Sequence, residues 1–157
     1  MNYKVIERNE IKLVGMMERI VMPNNTIGQL WEDFNKRTVE IKNVVGMACY
    51  GVADNMATES YAFDETVAVE VSSFEDIPEG MVTKIIASKK YLVFTFKGLI
   101  VGKNGEMNLS KAYEDIYGNI LPKLDFEIDN EFNFELYDER LSHDSEDSEF
   151  DIYVPVK

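Results

Sequence analysis

Phe132-Asn133-Phe134-Glu135-Leu136-Tyr137-Asp138-Glu139-Arg140 is the stretch on which the reading of this chain turns. Its alternation is that of a β-strand, in which successive side chains point to opposite faces. Glu135 and Tyr137 then share one face and Phe134 and Leu136 the other, so both faces carry apolar surface. A strand wanted on both sides lies inside a packed domain. Glu135 is therefore at an opening of that domain, buried with a partner, or turned to solvent or to a lysine. An unpartnered buried carboxylate is costly and is kept mainly where a site uses it.

Working outward, Leu109, Ala112, Tyr113, Ile116, Tyr117, Ile120 and Leu121 recur at helical spacing until Pro122 stops the run. After the central stretch come an acidic loop at 143–149 and a strand at about 150–156. A similar succession stands earlier in the chain. Residues 3–22 read as one extended strand or a bulged pair, broken by Pro23-Asn24-Asn25. Thr26-Ile27-Gly28-Gln29 has the form of a capping box. It opens an amphipathic helix through Leu30, Trp31, Phe34 and Ile41 that is expected to reach about Asn43, with Gly46 ending it. Strand-like runs follow at 47–53 and 61–71, the second with Val67, Val69 and Val71 in phase. Ile77-Pro78-Glu79-Gly80 is a turn, and runs at 81–87 and 91–97 are again strand-like.

The order is strand, helix, strand, strand, twice over. This predicts an α+β fold: a tandem strand-helix-strand-strand repeat with pseudo-twofold symmetry, an antiparallel sheet, two main helices and a cleft between the halves. The chain is expected to form one domain, 1–157, with pseudo-repeats of about 1–75 and 76–157. Aligning Met47-Ala48-Cys49-Tyr50-Gly51 with Phe134-Glu135-Leu136-Tyr137-Asp138 matches Tyr50 to Tyr137 and Ala48 to Glu135. A slip of one residue would exchange the faces.

At 157 residues and 45% apolar, the chain has ample material for one core. No apolar run approaches ~18 residues and the N-terminus lacks a signal-peptide core, so neither membrane nor export is expected and a cytoplasmic place is. Cys49 and His143 are single, which excludes an intrachain disulfide and a Cys- or His-rich zinc site. The acidic loop lacks the glycine and oxygen spacing of a calcium loop and reads as a solvated connection. No cofactor or metal is expected. A net charge of −13 and a pI near 4.5 disfavour nucleic acid and attract cations.

Taken in order, Tyr50-Gly51-Val52, Ile77-Pro78-Glu79-Gly80-Met81, Tyr91-Leu92-Val93-Phe94 with Lys97-Gly98, Ala112-Tyr113-Glu114-Asp115-Ile116-Tyr117 with Leu121-Pro122, Phe134-Glu135-Leu136-Tyr137-Asp138 and Asp151-Ile152-Tyr153-Val154-Pro155-Val156-Lys157 form a series. This series resembles the GyrI-like, or AraC-type effector-binding, small-molecule-binding family over essentially the whole chain. The resemblance implies a ligand cleft between two halves, where members bind hydrophobic, often cationic, organic molecules with aromatic walls and a glutamate matching Glu135. Several members are sensors attached to a helix-turn-helix; here no such segment is seen, and a stand-alone module is expected. Where a typical member has Trp before the Leu-Pro, this chain has Ile120.

A flat lipophilic cation needs its apolar surface removed from water, a π face and a negative group where water is scarce. Cation–π contacts contribute ~0.5–2 kcal/mol each, and a carboxylate supplies the charge. Glu135, Tyr137 and Tyr50 are the leading ligand residues, with Trp31, Phe34, Phe63, Tyr91 and Tyr113 as further walls. The expected function is binding of such a ligand as a sensor or sequestering protein, with no direct contact to nucleic acid. Two other readings stand beside it: a hydrolase of small electrophiles with Glu135 as general base, and an acidic protein-interaction module such as a gyrase inhibitor.

Overall fold

Two short links set the shape of the sheet. β1 (Tyr3–Arg8) and β2 (Ile11–Val21) are separated only by Asn9-Glu10, and β5 (Val82–Ile86) and β6 (Lys89–Lys97) only by Ala87-Ser88. The other strands are β3 (Val44–Asp54), β4 (Ala62–Val71), β7 (Phe132–Tyr137) and β8 (Glu149–Val156), with helices α1 (Ile27–Asn35) and α2 (Asn108–Asp115). In the computed structural model, which describes residues 1–105 and 107–157, the strands form one antiparallel sheet in the order β1-β6-β8-β7-β3-β4-β2-β5. β1 and β5 are its two edges, so each two-residue link joins one edge to the strand next to the other. The sheet has to curl until its ends approach, giving a half-barrel. Exchanging β1 to β4 with β5 to β8 leaves the order unchanged, and the middle pair is β3 with β7.

Strand alternation decides what each face holds. On the concave face Ile11, Leu13, Tyr50, Val52, Ala68, Ile86, Tyr91, Val93, Phe134 and Tyr153 pack together, drawing side chains from strands far apart in the order. The convex face is covered by the helices. Leu30 and Phe34 of α1 sit on Val14, Val67, Val69 and Val71, while Ala112 of α2 and Ile116 just beyond it sit on residues of β6 and β8. Full burial of a side chain such as Phe34 or Phe94 contributes ~1.5–3 kcal/mol, so each helix is held mainly by its apolar stripe. Among the described residues no helix is long and apolar enough to cross a membrane.

The α+β class, the two helices and the antiparallel sheet follow the sequence reading, but several boundaries differ. The capping box does not form: Asn25 Oδ1 accepts the Ile27 N–H at 3.1 Å, and Gln29 donates instead to Asp33 at 2.9 Å. α1 stops at Asn35 rather than near Asn43, and a short 3-10 turn, Thr38–Glu40, carries the chain to a buried Ile41. That turn is tied down by Arg37, which donates to Glu40 and to the Glu79 carbonyl oxygen. Gly46 ends no helix. It lies within β3 at φ +70°, where the β3–β4 pairing jumps from Val44 to Cys49, so its left-handed backbone serves a bulge. The second helical run continues as a π turn, Ile116–Ile120, and a 3-10 turn, Leu121–Lys123, after α2.

Candidate ligand site

The site is built where the two helix-covered halves meet on the convex face. Gly51 of β3 pairs with Glu135 of β7, and the β3–β7 register puts Cys49 opposite Tyr137. α2 brings Tyr113 over this pair, and its hydroxyl donates to Glu135 Oε1 at 2.9 Å. Two residues along the strand, the Tyr137 hydroxyl donates to Glu135 Oε2 at 2.6 Å. From the other side α1 supplies Trp31, whose ring stands edge-on to Tyr137 with centroids 5.5 Å apart. Glu135, Tyr113, Tyr137 and Trp31 each keep part of their surface accessible to solvent.

A second carboxylate belongs to the same group. Glu65 of β4 is 95% buried, with a relative exposure of 5%. A Cβ placed on Gly51 would lie 3.1 Å from Glu135 Oε2, 3.1 Å from Glu65 Oε1 and 3.5 Å from Trp31 Cζ2. Glycine at this position therefore leaves a side-chain-free floor between two acids and beneath an indole. Any larger residue would press on both carboxylates.

The electrostatics follow from this crowding. Burial raises the Glu135 carboxyl above its ordinary range, and the hydroxyls of Tyr137 and Tyr113 pull it back by hydrogen-bonding to the ionised form. Burial pushes Glu65 well up, and the negative charges of Glu135 and Asp54 add to the shift. Among the described residues no lysine or arginine neutralises either group. Burial and the Glu135 charge also hold both tyrosines well above their usual range, so they remain hydroxyl donors. The Cys49 thiol, on the same face, is raised by burial and stays neutral.

The structure gathers Glu135, Tyr137, Tyr113 and Trp31 from the residues singled out in the sequence. Phe34 is fully buried beneath Trp31, with ring centroids 6.3 Å apart, and supports the indole from below. Phe63 stands on the same convex face of β4, two residues from Glu65. Tyr50 and Tyr91 are corrections. Both face the concave core, because β3 pairs Tyr50 with Leu136 and not in phase with Tyr137. Tyr50 there accepts a hydrogen bond from Arg8 at 3.3 Å, and Tyr91 packs edge-on to Phe134 and Tyr153. Glu65 and Gly51 were missed, although Glu65 stands in phase with Val67, Val69 and Val71, the alternation noted in the sequence. A separate cavity of about 720 Å³ lies around the Asp54–Lys84 ion pair, with Val52, Ile86 and Phe132 in its wall, away from the Glu135 group.

The sequence profile of the integron-associated effector binding protein family matches residues 4–156. The chain belongs to that family. Within this GyrI-like group, the transcriptional regulator BrlR of Pseudomonas aeruginosa is 30% identical over 158 residues, covering 99% of this chain and 56% of the regulator. The effector-binding chain thus spans about half the length of that relative. Among solved structures, SAV2435 bound to tetraphenylphosphonium superposes with a TM-score of 0.77 at 20% identity, covering 100% of this chain and 94% of that one. The integron cassette protein VCH_CASS2 of Vibrio cholerae gives 0.67 at 19% identity, with 99% and 95% covered.

Proposed function

We propose that this effector-binding chain takes a hydrophobic organic cation over the Glu135 group, as the ligand-recognition unit of a sensor or sequestering system. The observation that carries this reading is the charge imbalance of the site: two crowded, poorly solvated carboxylates, aromatic rings on both sides, and no basic side chain among the described residues to neutralise them. A cation with apolar surface meets all of these needs at once, through the carboxylates, the indole of Trp31 and the phenol rings. The tetraphenylphosphonium held by SAV2435, a protein of the same fold, supports the ligand class. The tyrosines have a defined task in this scheme. By donating to both oxygens of Glu135 they favour its ionised form against the burial that raises its pKa.

Trp31 is the single tryptophan, so its intrinsic fluorescence reports on the site without a label. Titration with tetraphenylphosphonium should give saturable quenching, weakened by about 2–5 kcal/mol in Glu135→Gln. Quenching that does not saturate, or equal affinity in the variant, would overturn the reading.

A further inference from the structure

Glu65 goes beyond what one lipophilic cation asks of a site. It is buried, it has no hydrogen-bond donor among the described residues, and its Oε1 is directed over Gly51 toward the same space as Glu135 Oε2. The charged and titratable groups around it are acidic or phenolic: Glu18 opposite it on β2, Glu135 from β7, Tyr137, and the charge of Asp54 on β3. Asp54 is engaged by Lys84 through Oδ2 alone, its Oδ1 being buried without a hydrogen-bond partner among the described residues, and it lies on the far face of the sheet from Glu65.

We propose that Glu65 is a second ligand-binding carboxylate, and that with Glu135 across Gly51 it selects cations bearing N–H donors, such as amidinium or primary ammonium groups, over fully alkylated or arylated onium ions. This rests on the cation reading above and deepens it. Two carboxylate oxygens, each 3.1 Å from one point on the glycine floor, converge on a small volume that a flat N–H-bearing group can bridge with one charge-assisted bond to each. An onium ion encloses its charge in hydrocarbon, so it gains from the two carboxylates by charge alone and bonds to neither. The glycine is part of the device, since a methyl group at position 51 would stand where the two bonds converge.

The test uses a matched pair of probes on one aromatic frame, 4-phenylbenzamidine and biphenyl-4-yl-trimethylammonium, with calorimetric titration of the whole chain. The wild type should bind the amidine about tenfold more tightly than the trimethylammonium compound, one charge-assisted bond's worth of preference. Glu65→Gln should abolish that preference by weakening the amidine about tenfold more than the trimethylammonium compound, and Gly51→Ala should abolish it by a different route. Equal affinities in the wild type, or a Glu65→Gln loss of the same size for both probes, would overturn the proposal while leaving the cation reading intact. Binding of neither probe by protein with a native circular dichroism spectrum would overturn both.

Discussion

Replacing Glu65 with glutamine should make the ligand-free protein more stable, increasingly so as pH rises. In the native state the Glu65 carboxyl is raised by burial first, then by Glu135 and Asp54, whereas in the unfolded chain it titrates normally. The native form therefore holds a proton that the unfolded form has released. Stability is highest at acidic pH and falls as pH climbs from the ordinary glutamate range through the raised native value, by up to about 1.4 kcal/mol per unit. The loss levels off once Glu65 ionises in the fold. Glu65 Oε1 and Glu135 Oε2 are at most about 6 Å apart, and at an effective dielectric of about 20 two full charges there repel by roughly 3 kcal/mol. Glutamine keeps the shape and removes this cost. Thermal unfolding of wild type and Glu65→Gln from pH 5 to 9 should show curves that nearly coincide at pH 5 and separate by roughly 5–10 °C at pH 8, given ~2–4 °C per kcal/mol for a chain of this length. A gap that widens toward acid, or a variant less stable than wild type at pH 8, would refute the placement of Glu65 beside Glu135.

Tyr137→Phe removes the shorter of the two hydroxyls that favour the ionised Glu135, so the pH midpoint for cation binding should move upward, as read by Trp31 quenching across pH 5–9. Tyr50→Phe should leave cation affinity unchanged within about twofold, because Tyr50 faces the concave core, and a large loss would contradict the β3–β7 register. Gly15→Ala should destabilise by at least about 3 kcal/mol in urea unfolding, since its Cβ would fall 1.9 Å from the Val67 carbonyl oxygen of the neighbouring strand.

What was legible in the sequence was whatever depends on period. The two helices, the β7 alternation that places Glu135 with Tyr137, and the strand-helix-strand-strand succession all follow from spacing along one segment. Register between segments is a different kind of information. Aligning residues 47–51 with 134–138 puts Tyr50 in phase with Tyr137, whereas the antiparallel pairing sets Tyr50 beside Leu136, and in a strand one residue changes the face, so Tyr50 belongs to the opposite core. The bulge at Gly46 explains why counting along β3 was unsafe: residues 45–48 have no partners on β4. Glu65 was overlooked for a related reason. Its alternation with Val67 was visible, but only the fold brings β4 within reach of β7 across the one glycine between them. The length of α1 was overestimated because Ile41 happens to continue the period from Phe34 while the backbone between them leaves the helix.

In the middle of the sheet a strand from each half of the chain lies beside its counterpart, and there a glycine faces an acid. A symmetric pair of identical chains meeting along such a line would have to place every glycine–acid pairing twice, once on each side of the axis. A single chain is free of that constraint. It can assign room to one strand and charge to its counterpart, and so hold one asymmetric guest on an otherwise symmetric frame.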